Sequence, residues 1–228
     1  MQSPVVNIEE ATIKEGLPRV LELALVMAGL ALVSPLILIA MVAIRVTSSG
    51  PAIFRQQRFG KGGRLFVLYK LRTMHRAGAG PQVTSGDDNR ITRVGRILRK
   101  TKVDELPELW NIIMGDMSLV GPRPEVPRYV DLTDPAWNRA LRAKPGITDP
   151  VTLGLRNEES LLASVEGDRE KFYREVLLPL KLEGYIKYLH RRNWWSDLRV
   201  LYLTLMVVIR PQRAPAPNVE EVAVRLSD

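Results

Sequence analysis

Hydrophobic and polar positions along this 228-residue chain fall into blocks of different period. From residue 20 to residue 44 nearly every side chain is apolar, with Glu22 near the start as the only charge. Roughly 25 such residues are long enough to cross a hydrocarbon layer of about 30 Å. Residues 1–17 carry Glu9, Glu10 and Glu15 and read as a tail or a short surface helix. An acidic flank makes a secretory signal peptide a poor fit. Ser34 and Pro35 sit near the middle of the apolar block. Proline has no N–H for the Ala31 carbonyl and crowds it, so a kink is expected there. Two forms satisfy that kink. One is a bent single-pass helix. The other is a helix-break-helix that enters and leaves on one face, with the Ser34 hydroxyl helping to satisfy the freed backbone. Arg45 marks the exit.

The period then shortens. Apolar runs at 52–54 and 65–69 flank Gly60, Lys61, Gly62 and Gly63, the pattern of a hairpin. Residues 77–89 are rich in Gly, Asp and Asn and predict a loop. Helical spacing resumes at about residue 90. It recurs at 135–142, 158–165, 168–192 (with Pro179 bending this one) and 198–209. Residues 144–150 form a turn cluster, and 211–228 open on a Pro-rich run that predicts a mobile tail. The expected architecture is α+β and mostly helical. It has an N-terminal tail (1–17), a membrane helix (18–46), a globular domain (47–210) with a small hairpin, and a C-terminal tail (211–228).

Composition narrows the function. Hydrophobic residues make up 46% of the chain, enough for a core, and the net charge of +8 suggests an anionic partner. There is no Cys, which excludes disulfides, thiolate zinc sites and cysteine nucleophiles. The two His residues, His75 and His190, lie far apart in sequence and offer little to a metal cluster or a serine triad. A nucleic-acid binder would rest on charge alone and would leave the apolar block unexplained.

Four constellations carry candidate chemistry. Arg90, Arg93, Arg96, Arg99 and Lys100 recur at helical spacing, with Ile91, Val94, Ile97 and Leu98 largely opposite. Such a helix can lie in a headgroup layer with its basic face towards lipid phosphates, or pack on a core as an ordinary surface helix. Asp104 and Glu105 follow at once. Adjacent carboxylates repel, and the nearby Arg99, Lys100 and Lys102 would keep them ionised, as a nucleophile or metal ligand requires. The pair could equally begin a helix as its N-cap. Arg123 stands between Pro122 and Pro124, after Gly121. Two fixed backbones present that guanidinium rigidly, which suits bidentate phosphate binding but also describes any stiff exposed loop. Trp194 and Trp195 precede the last apolar helix, a placement that fits a membrane interface or core packing.

Together these residues resemble a known family. The matching stretches begin at Leu32-Val33-Ser34-Pro35, at Gly50-Pro51 and at Phe66-Val67-Leu68-Tyr69-Lys70. Two more begin at Asp104-Glu105-Leu106-Pro107 and at Gly115-Asp116, the last running to Pro124. Over roughly residues 18–210 the chain resembles the small monotopic phosphoglycosyl transferases among the bacterial sugar transferases. The resemblance implies transfer of a sugar-1-phosphate from a UDP-sugar to a polyprenyl phosphate such as undecaprenyl phosphate, with release of UMP. It implies a covalent aspartyl intermediate, Mg²⁺ as cofactor, and a place at the first membrane step of glycoconjugate or exopolysaccharide assembly. Asp104 matches the nucleophile. Glu105 matches its acidic partner, at the metal or in proton handling. Arg123 with Pro122 and Pro124 matches a phosphate- or nucleotide-contacting motif, and Lys70 and Arg99 match basic positions near the site. The resemblance also selects the re-entrant form of the apolar block, broken at Ser34 and Pro35. It places the catalytic domain on the cytoplasmic face of the bacterial inner membrane, with no nucleic-acid partner. The chain departs from the family pattern at 145–157, where Asp149 and Pro150 stand in place of Gly and Trp. The rival from another class is a non-catalytic basic scaffold on the membrane surface.

Overall fold

The computed structural model describes residues 13–75 and 88–209. The C-terminal tail, most of the N-terminal tail and most of the loop expected at 77–89 lie outside the described residues. Helix α1 (Arg19–Thr47) is long and apolar enough to cross a membrane by length and composition. It is a single helical element with Pro35 inside, rather than two separate helices. The Ser34 hydroxyl donates to the Ala31 carbonyl at 3.0 Å, so the acceptor that Pro35 leaves vacant has a partner. Both ends of α1 dock on one protein body. At the start, Arg19 donates to the Ile112 carbonyl and the buried Glu22 accepts from the Leu119 N–H at 2.7 Å. The one charge in the apolar block is therefore held by protein. Val26 packs with Leu68, Ile112 and Met117, and at the far end Ala40 and Ile44 pack with Ala52, Leu71 and Leu98. No residue between Val26 and Ala40 is buried, and Leu32, Leu38 and Ile39 are bare.

Strands β1 (Ile53–Phe59) and β2 (Leu65–Leu71) form the expected antiparallel hairpin, from Ile53 opposite Leu71 to Phe59 opposite Leu65. Strand β1 outruns its apolar stretch because Arg55 to Arg58 also pair along the ladder, with the Arg55 guanidinium 5.8 Å from the ring centre of its cross-strand partner Tyr69. The turn needs its glycines: Gly62 and Gly63 have φ of +69° and +70°. After β2, the buried Arg72 donates to the carbonyls of Ser48, Ser49 and Gly50, which ties the exit of α1 to the hairpin. Helix α2 (Arg93–Thr101) starts later than expected, because Ile91 bridges Met74 and Thr92 caps the Gly95 N–H at 2.8 Å. Gly95 abuts the Thr73 carbonyl so closely that a Cβ would collide with it. Val94 and Leu98 pack on the exit half of α1, so protein covers part of the apolar face of α2 while Ile97 stays bare.

Helix α3 (Glu108–Met114) leads to β3 (Ser118–Val120), and α4 (Pro135–Ala140) to β4 (Gly146–Thr148). Strands β3 and β4 pair in parallel, Ser118 with Gly146 and Val120 with Thr148. The hydrophobic pattern does not announce three-residue strands. Their close approach depends on Gly121 and Gly146: a Cβ on Gly146 would strike the Gly121 backbone, and one on Gly121 would strike the Lys144 carbonyl. The segment expected as a turn cluster continues into α5 (Pro150–Gly154), with Asp149 accepting from the N–H groups of Val151 and Thr152 at 2.7 and 2.9 Å. Asp before Pro is thus an N-cap followed by a first-turn proline. Helices α6 (Glu158–Ser164) and α7 (Arg169–Phe172) follow. A wide π turn at Tyr173–Leu177 then leads into α8 (Leu178–Arg191). Pro179 acts there, since it cannot bond the Glu175 carbonyl and the turn opens by one residue. Helix α9 (Trp194–Ile209) begins earlier than its apolar run because Asn193 and Ser196 form a reciprocal cap. The main core joins α4, α6, the π turn and α8 around Trp137, Leu162, Leu177 and Tyr185.

A buried clamp closes the fold near the arginine loop. Asp197 is fully buried and accepts from the Leu17 N–H at 2.8 Å, from Arg192 Nη2 at 2.7 Å and from the Tyr188 hydroxyl. Arg192 Nη2 also donates to the Val120 carbonyl at 2.8 Å, at the last residue of β3. Removing one partner leaves a buried charge uncompensated. Asp197→Ala should therefore lower folding stability by about 3–5 kcal/mol. Denaturant unfolding in detergent measures this, and a loss below about 1 kcal/mol would mean that the clamp contributes little.

Candidate active site

The turn after α2 shapes the site. Lys102 adopts a left-handed conformation with φ of 58° and ends the helix. Asp104 and Glu105 follow in a short 3₁₀ turn, Val103–Glu105. Neither carboxylate caps α3, whose preceding residue is Pro107 with no side-chain cap, so the pair is not a helix start. Both face a cleft of about 970 Å³, which Lys70, Arg99, Lys102, Arg123 and Pro124 also line.

The two carboxylates have different environments. Glu105 accepts from both terminal nitrogens of Arg123 and from Lys70 Nζ, the last at 3.2 Å. Lys70 Nζ also lies 3.1 Å from Glu108 Oε1. Asp104 is 7% exposed, and its Oδ1 is buried with no hydrogen-bond partner. Burial pushes the Asp104 carboxyl up from its ordinary range, and the neighbouring Glu105 charge pushes it further. Lys70, Lys102 and Arg99 offset only part of this. Burial also acts to raise Glu105, but Arg123, then Lys70 and Lys102, outweigh it and hold that carboxyl well below the usual value. One member of the pair is thus firmly ionised, and the other is a desolvated, unpartnered carboxylate. This corrects the expectation that nearby Arg99, Lys100 and Lys102 would hold both. Lys100 is exposed, and Arg99 turns into the cleft towards Glu159, at 2.6 Å, and Thr73, at 3.3 Å.

Chemistry that needs Asp104 as an anion should therefore fail on the acid side. The raised Asp104 carboxyl protonates at a higher pH than an ordinary aspartate near 3.9. Its rate should fall as pH drops through that raised value, while Glu105 is still ionised. A pH–rate profile whose acid limb lies at or below about 4 would contradict this assignment.

The arginine loop brings the remaining pieces together. Gly121 follows β3, and the Pro122 carbonyl accepts from the Gly146 N–H at 3.0 Å, which fixes the loop to β4. The Pro124 carbonyl accepts from Arg58 at 3.0 Å. Pro122 itself does not line the cleft; it positions Arg123. Ser34 and Pro35 lie outside the cleft, on α1. Sequence reasoning missed a second group of lining residues. Glu125 accepts from the Tyr173 hydroxyl at 2.5 Å, and Lys181 donates to Glu158 at 3.1 Å and to the Tyr173 hydroxyl at 3.2 Å. No local pattern joins residues so far apart in the chain. The π turn was the only available signal, through Pro179.

Among the described residues no group of three or more His, Cys, Asp or Glu converges on one point. The Asp104 and Glu105 pair offers two carboxylates instead. That is what Mg²⁺ takes when diphosphate oxygens and water complete its shell, and the unpartnered Asp104 Oδ1 fits such a role.

Residues 13–211 match the family model described as bacterial sugar transferase. The chain is 38% identical over 201 residues to the UDP-glucose:undecaprenyl-phosphate glucose-1-phosphate transferase of Caulobacter vibrioides, covering 86% of this chain and 71% of that one. It is 32% identical over 204 residues to the UDP-N-acetylgalactosamine-undecaprenyl-phosphate N-acetylgalactosaminephosphotransferase of Aeromonas hydrophila, covering 87% and 44%. It is 37% identical over 184 residues to the undecaprenyl-phosphate galactose phosphotransferase of Salmonella typhimurium, covering 71% and 34%. The chain thus spans less than half the length of the last two. With its family model matched across nearly all of the described residues, the chain belongs to the bacterial sugar transferase family and is a transferase.

Proposed function

We propose that this protein transfers a sugar-1-phosphate from a UDP-sugar to a polyprenyl phosphate, undecaprenyl phosphate in bacteria. The carrying observation is the buried, unpartnered Asp104 carboxylate beside an ion-paired Glu105 on the cleft wall. An Asp104 oxygen attacks the phosphorus that bears the sugar. The bond from that phosphorus to the bridging oxygen breaks, and UMP leaves with the electron pair. A polyprenyl phosphate oxygen then attacks the same phosphorus and expels the Asp104 carboxylate, leaving a polyprenyl-diphosphate sugar. Partial desolvation makes Asp104 a better nucleophile than an exposed aspartate. Arg123, Lys70 and Arg99 are the donors for the phosphate oxygens. Mg²⁺, held by Asp104 or Glu105 with the diphosphate, would neutralise charge on the phosphates.

The membrane reading is monotopic, with α1 re-entrant. It is supported by the docking of both ends of α1 on one body and by the bare apolar stretch between them. The exposed Ile97, Trp195 and Arg93 add an interfacial rim to this reading. Use of a UDP-sugar, a cytoplasmic metabolite, supports a cleft on the cytoplasmic side of the inner membrane and a role at the first membrane step of glycoconjugate assembly. Purified protein in nanodiscs, given Mg²⁺, polyprenyl phosphate and a panel of UDP-sugars, should release UMP. Release from none of them, in folded protein, would favour the scaffold.

A further inference from the structure

The named relatives carry different sugars, glucose, N-acetylgalactosamine and galactose. Shared phosphate chemistry at the dyad cannot distinguish these, so a sugar-reading part of the cleft lies elsewhere. Resting on the functional reading above, we propose that the polar cluster of Glu125, Tyr173, Lys181 and Glu158, with Arg156 at its edge, is the subsite that holds the hydroxylated sugar ring.

The cluster lines the same cleft as Asp104. Arg123 joins the two, since it pairs with Glu105 and also feels the charge of Glu158. A phosphate needs donors only and cannot use the acceptor oxygens of two carboxylates, which here are already paired with Arg58 and Lys181. A sugar hydroxyl both donates and accepts. The cluster offers both kinds of partner: carboxylate oxygens on Glu125 and Glu158, and donors on Lys181 and Arg156, while the Tyr173 hydroxyl fixes Glu125 by donating to it. Capacity remains open. The Glu158 side chain is 28% exposed, and its oxygens accept from Lys181 Nζ. Arg156 Nη2 is buried with no partner among the described residues. A buried donor in that state is costly unless a ligand pairs it. The cluster is also held rigidly. Tyr173 opens the π turn, its ring packs 5.2 Å from that of Tyr129, and Lys181 Nζ sits 5.0 Å over it. Such turns re-aim side chains at functional sites, and a fixed cluster discriminates hydroxyl positions better than a loose one.

The test compares wild type with Glu158→Gln and Tyr173→Phe in nanodiscs with Mg²⁺ and polyprenyl phosphate. UDP-glucose, UDP-galactose, UDP-N-acetylglucosamine and UDP-N-acetylgalactosamine serve as donors, and UDP as a competitive inhibitor that lacks the sugar. The expected result is a loss of about tenfold or more in kcat/KM for the preferred sugar, with changed ratios among sugars. UDP inhibition should stay within about threefold. Each variant is checked for a wild-type melting transition, and the second covers the case in which the first fails to fold. Unchanged ratios in both folded variants would overturn the proposal, as would equal losses towards UDP and UDP-sugar. No UMP release by wild type from any donor would overturn the functional reading itself, and this subsite with it.

Discussion

Asp104→Asn should remove UMP release by about 10⁴-fold or more while leaving the protein folded and membrane-bound, and at neutral pH slightly more stable. The kinetic part follows from nucleophilicity, since an amide cannot attack phosphorus as a carboxylate does. The stability part follows from linkage. Burial and then Glu105 raise the folded-state Asp104 carboxyl above its ordinary value. A raised carboxyl favours folding while protonated, and that contribution is lost as pH rises through the raised value. The variant has nothing to ionise at this position. Its advantage over wild type should therefore be small at about pH 4 and grow towards pH 7. Melting curves in detergent with a chelator, taken across that range, measure it. A variant less stable than wild type at neutral pH would show that Asp104 is better compensated than its unpartnered oxygen indicates. Full turnover in the variant would remove Asp104 from the mechanism.

Arg123→Ala should cost about 10²–10³ in UMP release, and Arg123→Lys should restore little of it. Arg123 does two jobs. Both of its terminal nitrogens donate to Glu105, and of the cations acting on that carboxyl it does most to keep it ionised. It is also the guanidinium that the loop between Pro122 and Pro124 presents to the cleft. Lysine supplies a charge without the planar fork, so it cannot hold Glu105 and a phosphate oxygen in one geometry. Without Arg123, Lys70 remains as a direct partner of Glu105, and the carboxyl should titrate upward. The acid limb of the pH–rate profile should then become more complex as well as lower in amplitude. An Arg123→Lys variant with near wild-type rates would mean that charge alone suffices.

Much of the architecture is legible along the chain, and the failures have physical causes. The apolar block and the Gly60-to-Gly63 turn are local signals, and α1 and the hairpin follow from them. Asp149 and Pro150 were equally local, but they sat among turn residues and hid a capped helix. Strands β3 and β4 could not be read, because three-residue strands have no period and their pairing depends on Gly121 meeting Gly146. Asp104 and Glu105 stand out along the chain as a pair, but two adjacent acids are common, and only the resemblance gives them roles. Which acid is paired was not legible. The nearest cations in sequence are not the ones that decide it: Lys100 faces away, while Arg123 and Lys70 arrive from 18 and 35 positions off. The Tyr173 and Lys181 end of the cleft was invisible for the same reason. It is assembled by helix packing over long separations, and its only local trace is the proline that opens the π turn.

In the proposed reaction Asp104 carries the phosphosugar between donor and lipid. Intact-protein mass spectrometry after incubation with UDP-sugar and Mg²⁺, with polyprenyl phosphate withheld, tests it most directly. The expected result is an added mass of one sugar phosphate, mapped by peptide fragmentation to Asp104, absent from Asp104→Asn and discharged when polyprenyl phosphate is added. UMP release in a single turnover with no adduct on the protein, and only when the lipid phosphate is present, would contradict it and point to direct attack by the lipid.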